Sequence, residues 1–540
     1  MKHLKIFLLI ISISLFSFII FWFIIKKYYL IDIVHTRIEK NIGEHIENDF
    51  QFTFDNFSIN WISNTAEFSG FNLLWFNEKD TVGYIKGNLL ISIEGWRNII
   101  FDKQKLISTI ALKETELYYA KDYPLIMKKY NNQEVEISSL SVTGKIHLAN
   151  KHKEQTGQLT TNFDFDVAIN YKSNNEFNID HFINQITAFE ASELHYYFPD
   201  GYYQLIIKKV AFTEFDDITL NHVIINPIDS KQIFASKKKV ATDYISVAID
   251  SIQLTDCDSQ VDERIFIGQI QMYQPSFDVF KDKNYPEDQK YKAILVDLLR
   301  DLEIPVYVRN MNLNNMFIKY TELADQAVEP GDLFFNDANA SISNITNVED
   351  SLELSSNIHI EAEAKFYGVG ILKTTISYKV FSNSGQYAIN GSLGSMNITE
   401  VNAVLSELLP AEVTSGQLNN LYFNFAGSRD QSKGEMRFEY SDLSIKVLEI
   451  DHLNSIFTRK IASGVGNIAM RNSNPSGNGV FRIGEIKQDR NTSKSMFNYW
   501  WISLRSGFLS TVGVTPEKEK INYKTGEPAT FVDKIGMGDK

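Results

Sequence analysis

The stretch FTFDNFSINWISNTAEFSGFNLLWF, Phe52 to Phe76, decides the reading of the fold. Phe52 and Phe54, then Phe57, Ile59 and Trp61, then Phe71, Leu73 and Trp75, alternate with smaller or polar residues, and a period of two is the signature of a strand with one apolar face. The pattern continues through Leu89, Ile91 and Ile93. It returns far downstream in Ile358 and Ile360, in Ile376, Tyr378 and Val380, in Tyr387 and Ile389, and in Leu421, Phe423 and Phe425. With Asn, Asp, Gly and Ser marking the turns, spacing of this kind predicts about 25 strands. In a chain of 540 residues, 38 Phe and 25 Tyr against 11 Pro add to the bias towards pleated structure.

Strands with one apolar face must cover it. One solution is stacked sandwiches or barrels with sealed cores. The other is a long antiparallel sheet curled into an open hydrophobic groove whose lining meets something else that is apolar. Lipid acyl chains gain about 0.8 kcal/mol for each CH₂ kept from water, so such a groove can hold them without polar specificity. At about 4.8 Å per strand, the groove would be on the order of 100 Å long. Phe52, Phe54, Phe71, Leu73, Leu89 and Ile91 are the candidate lining residues nearest the N-terminus, although periodicity does not say which alternate face turns inward.

A membrane is implied by IFLLIISISLFSFIIFWFII, Ile6 to Ile25, which carries no charge and has the length of a bilayer-spanning helix. A cleaved signal peptide has a shorter apolar region and a small-residue cleavage site, whereas this run ends in bulky residues followed by Lys26 and Lys27. Lysines flank both ends, so charge does not set the orientation; insertion with Met1 in the cytoplasm is the simplest course. The expected organisation is an anchor at 1–29, an amphipathic stalk helix at 30–50, β halves at 51–285 and 286–490 divided near Lys281 to Asp288, an amphipathic helix at 491–515 and a disordered tail at 516–540. Short helices are expected at Glu287 to Leu302, behind Thr399, and around Ile179 to Ile186. Three segments, Leu106 to Lys121, Ile265 to Lys281 and Ile304 to Lys319, share a texture that suggests a recurring two-strand unit.

Chemistry is sparse. A net charge of −14 disfavours nucleic acid as a partner, and the single cysteine, Cys257, excludes an internal disulfide and a Cys-based zinc site. The chain has no GxSxG, P-loop or HExxH motif, so neither an enzymatic activity nor a cofactor is expected. The acidic group Asp256, Asp258, Asp262 and Glu263 lacks the glycine and terminal Glu of a calcium loop, and Lys237 to Lys239 reads as a solvated hairpin end. In the C-terminal helix, Trp500 and Trp501 with Lys494 and Arg505 suit a membrane interface, and equally a helix that plugs the end of the sheet.

The order of parts resembles the AsmA-like family of bacterial envelope proteins, related to TamB and similar in architecture to bridge-like lipid-transfer proteins. The residues that carry the resemblance are the anchor, the stretch with Ile38, Ile42 and Ile46, the strands of Phe52 to Phe76, ISTIALKETELYYAK at Ile107 to Lys121, the segment Gly391 to Gly427, and EMRFEYSDLSIKVL at Glu435 to Leu448. It implies a non-enzymatic body in the periplasm, anchored in the inner membrane, that binds or conducts phospholipid and supports outer-membrane lipid homeostasis. Outer-membrane or periplasmic proteins are possible partners under it. The rival class is an interaction scaffold of sealed β-sandwiches; a hydrolase would need a constellation that is missing.

Overall fold

A computed structural model describes residues 50–60, 62–77, 80–93, 105–120, 126–127, 135–150, 153–167, 177–178, 186–198, 200–213, 217–258, 265–302, 304–325, 329–349, 357–402, 411–447, 471–477 and 479–522. The expected anchor and stalk lie outside these residues, as do most of the helix expected at Ile179 to Ile186 and the region 403–410 behind Thr399. Among the described residues no helix is long and apolar enough to cross a membrane. The protein is mainly β with a large antiparallel sheet, and contacts divide it into two compact units at Leu220 and Asn221.

In the first unit, β1 (Phe50–Thr53) and β2 (Asn56–Asn60) both pair with β3 (Thr65–Asn77). Antiparallel pairing continues to β4 (Asp80–Ile93) and β5 (Lys105–Ala120). β5 pairs in parallel with β7 (Val135–Asn150), which leads through β8 (Lys153–Val167) and β10 (Ile186–Tyr197) to β11 (Tyr203–Thr213). Two two-residue strands, β6 (Ile126–Met127) and β9 (Phe177–Asn178), form a separate pair. β12 (Asp217–Pro227) crosses the division in sequence.

After β12 the second unit continues with α1 (Lys231–Lys238), so the lysine run expected at a hairpin end closes a short helix, and Lys237 pairs with Asp229 at 2.6 Å. β13 (Asp243–Asp258) pairs with both β14 (Ile265–Tyr273) and β15 (Ser276–Asp282), which follow one another along it. Both run parallel to β16 (Val306–Leu323). Antiparallel pairing then adds β17 (Gly331–Thr346), β18 (Asn357–Phe366), β19 (Gly370–Lys379) and β20 (Tyr387–Leu393). It goes on through β22 (Ala411–Gly427), with the short β21 (Met396–Asn397) beside it, to β23 (Gln431–Val447), β24 (Val480–Asp489) and β25 (Glu517–Asn522). The polar tail expected to be disordered therefore begins with a strand, because the exposed edge of β24 offers its N–H and C=O groups to any extended segment.

Of the three similar segments, Ile265 to Lys281 spans two strands, β14 and β15, on either side of Gln274 (φ 50°). The other two are each one long strand interrupted by a residue with positive φ: Glu114 (52°) in β5 and Asn315 (54°) in β16. These are β-bulges, which bend a strand and raise its twist. They line up across neighbouring strands. The Gly70 N–H donates to Asn88 Oδ1 at 3.1 Å, and Asn88 Nδ2 donates to Glu114 Oε2 at 3.1 Å, linking β3, β4 and β5. Gly70 has φ +62°, and the Asp55 carboxylate occupies the place a Cβ would take. In the second unit the Asn315 N–H donates to Asn339 Oδ1 at 3.0 Å, and Lys365 Nζ reaches Asp337 Oδ2 at 2.7 Å.

Between β15 and β16, the described residues 283–302 and 304–305 belong to a crossover strap. The helix expected over Glu287 to Leu302 shrinks to α2 (Leu295–Arg300), because the segment before it spends its backbone groups in extended pairing: Glu287 bridges Ala241, and the Lys292 N–H donates to the Thr492 carbonyl at 2.8 Å. The expected stripe is redistributed. Ile294 is buried with Val296, while Tyr291, Leu298 and Leu302 are exposed. The boundary expected near Lys281 to Asp288 falls inside the second unit, between two strands of one sheet. Behind Asn397, whose side chain caps Thr399 N–H, lies a 3-10 turn, Ile398–Val401. The C-terminal helix is present as α3 (Met496–Val512), capped by Ser495.

α3 lies on β24 and β23 along a seam of small residues. A Cβ on Gly507 would stand 2.9 Å from Ile486 and 3.0 Å from Met436, and one on Gly484 would stand 2.4 Å from the Gly507 carbonyl oxygen. The core here joins Ile294 and Val296 of the strap, Tyr378, Tyr387, Phe425 and Met436 of the sheet, and Met496 and Tyr499 of α3. Gly434 is a sensitive test of this register, since a Cβ there would stand 2.1 Å from Asn424 O and 2.4 Å from Phe425 Cβ. Gly434→Val is expected to lower the stability of the second unit by roughly 1–3 kcal/mol, as overpacking does. Gly477→Ala, where nothing stands within 4 Å, is the near-neutral control. Urea unfolding followed by tryptophan fluorescence compares them, and equal midpoints would contradict the register.

Candidate functional site: the apolar face of the sheet

Paired positions on neighbouring strands share a face, so register decides whether apolar positions merge into one surface. They do in both units. In the first, the successive register partners Phe57, Phe68, Leu89, Leu112, Val142, Phe163, Ala191 and Val210 carry an apolar residue at every step across eight strands. In the second, Leu254, Ile270, Met311, Ile342, Ile360, Ile376, Ile389, Phe425, Gly434 and Ile486 are successive partners across ten strands. At about 4.8 Å per strand those rows extend about 34 and 43 Å along the sheet.

The next row in the second unit reverses the chemistry. Gln253, Gln271, Asn312, Ser341, Glu361, Thr375, Asn390, Asn424, Glu435 and Glu485 are partners across the same strands, and not one is apolar. One face is thus greasy and the other wet. β18 shows it within a single strand: Glu361, Glu363 and Lys365 are exposed, while Ile360, Ala362, Ala364 and Phe366 are half-buried. The charges of the wet face pair across strands, as in Lys373 with Glu363 at 3.0 Å; such exposed pairs contribute little stability.

Cover over the greasy face is uneven. α3 and the strap seal it at β19 to β24, where Tyr378, Phe425 and Ile486 are fully buried. Elsewhere burial is mixed: Phe68, Ala191 and Ile270 are buried, while Leu89 and Leu112, and Met311, Ile342 and Ile360, are half-buried. No helix occurs among the described residues of the first unit.

The six candidate lining residues fall on this face. Phe52, Phe54 and Phe71 join Phe57 and Phe68 in a five-ring cluster with centroids 4.7–6.4 Å apart. Leu73 is the partner of Phe52 and Ile85, Leu89 of Phe68 and Leu112, and Ile91 of Ala66 and Ile110. The tryptophan segment lies against the sheet. Trp500 stands 6.3 Å from the rings of both Tyr378 and Tyr387, and Trp501 is half-buried beside it in α3. Lys494 pairs with Glu287 of the strap, and burial holds the Arg505 guanidinium below its ordinary pKa. Asp256 sits at a bulge in β13 with φ 54°, and no His, Cys, Asp and Glu group among the described residues could hold a metal ion.

Sequence reading missed the strap and its fastenings. Arg429 grips Asp297 with both amino groups, an Asp288 to Lys292 pair closes at 2.9 Å, and the Arg490 guanidinium donates to the Lys292 carbonyl. These partners are up to 198 residues apart, and no local pattern announces them. No protein-family model and no curated protein matches this chain.

The hydrogen bond from Arg429 holds the Asp297 carboxyl below the usual carboxylate range, against the opposing effect of burial. A carboxyl with a depressed folded-state pKa adds stability above its unfolded value, about 3.9, and loses it as pH falls through the folded value. Wild type is therefore expected to exceed Asp297→Asn by about 1–2 kcal/mol at pH 7, with the difference starting to fall near about pH 4 and lost only as pH drops through the lower folded-state value. Urea unfolding at a series of pH values measures this, and a pH-independent difference would contradict the pairing.

Proposed function

We propose that the chain is a membrane-anchored lipid-binding protein whose half-covered apolar face holds phospholipid acyl chains, as a conduit or a scaffold, in the envelope of a bacterium with two membranes. The observation that carries this reading is the merging of apolar positions into rows eight strands wide in the first unit and ten in the second, the latter backed by a polar row and, among the described residues, covered by α3 and the strap at β19 to β24. An acyl chain needs no directional partner, only a dry lining of sufficient length, and the rows supply one. The bulges support the same reading, since aligned bulges curl a sheet around its inner face and turn the lining into a groove.

The uncharged apolar run Ile6 to Ile25 and the resemblance to AsmA-like proteins, which implies a periplasmic body, agree with lipid handling between membranes. The face needs no nucleophile, metal or cofactor for that task. The alternative is a scaffold in which other parts of the chain seal the face and the outer loops bind an envelope protein.

Purified full-length protein in mild detergent is expected to carry phospholipid on extraction and mass spectrometry. Introducing Leu89→Asp with Ile91→Asp sets two carboxylates against hydrocarbon at about 3 kcal/mol each. Even one such cost weakens lipid retention on the order of a hundredfold. Unchanged far-UV circular dichroism shows that the sheet survives. Wild type with no bound phospholipid would favour the sealed scaffold.

A further inference from the structure

Under the strap, one cation lacks an anionic partner. Arg490, which follows β24, is 8% exposed. One amino group donates to the Lys292 carbonyl, and the guanidinium stands over the Tyr291 ring at 5.6 Å. Its Nε and Nη1 atoms are buried and make no hydrogen bond. Buried guanidinium groups are ordinarily matched by carboxylate or phosphate, because an uncompensated charge out of water is strongly unfavourable.

The acids of the strap do not supply the match. Glu287 is held by Lys494, Asp288 by Lys292 and Asp297 by Arg429, and no ion pair to Arg490 occurs among the described residues. Two further donors stand nearby. The Tyr387 and Tyr499 hydroxyls are buried and face one another, with Ser432 beside Tyr499, neither in strict hydrogen-bond geometry; their rings lie 6.1 Å apart, and the charge of Arg490 acts on both phenols.

We propose that Arg490, with the hydroxyls of Tyr387 and Tyr499, forms an anion site for a phosphate group at the C-terminal end of the sheet. Donors on three side chains exceed what the two oxygens of one planar carboxylate take up well, and they suit the several oxygens of a tetrahedral phosphate. The phosphate can belong to a lipid headgroup or be free in solution. Only the headgroup source rests on the lipid reading above. In that case the site fixes the head of a lipid whose tail lies on the apolar rows. Tyr291, whose ring stands 5.6 Å from the guanidinium, is 58% exposed, so the site lies within one side chain of solvent.

The test uses the full chain in detergent at fixed ionic strength, titrated with inorganic phosphate and separately with dihexanoyl phosphatidylglycerol, and followed by ³¹P line broadening. Wild type is expected to saturate with at least one of the two. Inorganic phosphate alone marks a free-anion site, and a lipid signal displaced by phosphate marks a headgroup site. Arg490→Gln is expected to weaken binding at least about tenfold, the loss of one charge-assisted hydrogen bond. If that variant fails to fold, Tyr387→Phe with Tyr499→Phe keeps both rings and removes only the hydroxyls, and it is expected to weaken binding several-fold. No binding of either probe to wild type, or equal binding to the variants, overturns the site. The outcome is separable from the lipid reading, because Leu89→Asp with Ile91→Asp leaves the inorganic phosphate signal intact.

Discussion

A strand can hide only one of its faces by curling, and everything distinctive in this protein follows from how many strands put apolar residues on the same face. Period-two alternation makes each strand two-sided, and pairing in register makes the whole sheet two-sided. The row from Leu254 to Ile486 and its neighbour from Gln253 to Glu485 differ by one residue along every strand, yet one is apolar throughout and the other polar throughout. A slip of one residue in any pairing would break both rows at once. The amphipathic pattern thus fixes the register, and the register creates the surface.

That surface is finished differently along its length. At β19 to β24 the protein supplies its own cover. α3 comes close because Gly484 and Gly507 leave room, and the strap follows, bringing Ile294 against Gly385 and fastening itself through Arg429 and Lys494. Over Leu89 and Leu112, and over Met311, Ile342 and Ile360, cover is partial. Hydrocarbon completes such a surface at lower cost than water does, which is the physical basis of the lipid-holding role proposed for it.

Much of this was legible in the sequence, and the parts that were not share a cause. Strand positions and the aromatic lining near Phe52 and Phe71 follow from local alternation. The C-terminal helix was visible in the spacing of Phe497, Trp500, Trp501 and Leu504, and α3 matches it. The polar steps inside Leu106 to Lys121 and Ile304 to Lys319 read as breaks between strands, because a bulge and a turn use the same residue types; only pairing with both neighbours tells them apart. The strap read as a long helix because its apolar spacing fits one, while distant backbone partners hold Glu287 to Ile294 extended. Arg490 gave no signal, since the burial that isolates it comes from segments about 200 residues apart.

The most direct measurement is photolabelling of the full chain with a phospholipid bearing a diazirine near the middle of its acyl chain, followed by peptide mapping. Labels are expected on the apolar rows, at Leu89, Leu112, Met311 and Ile342, and to be missing from Gln271, Asn312, Ser341 and Glu361 on the opposite face. Labelling spread equally over both faces, or none above the level of a soluble β-sandwich control, would contradict an interior completed by lipid.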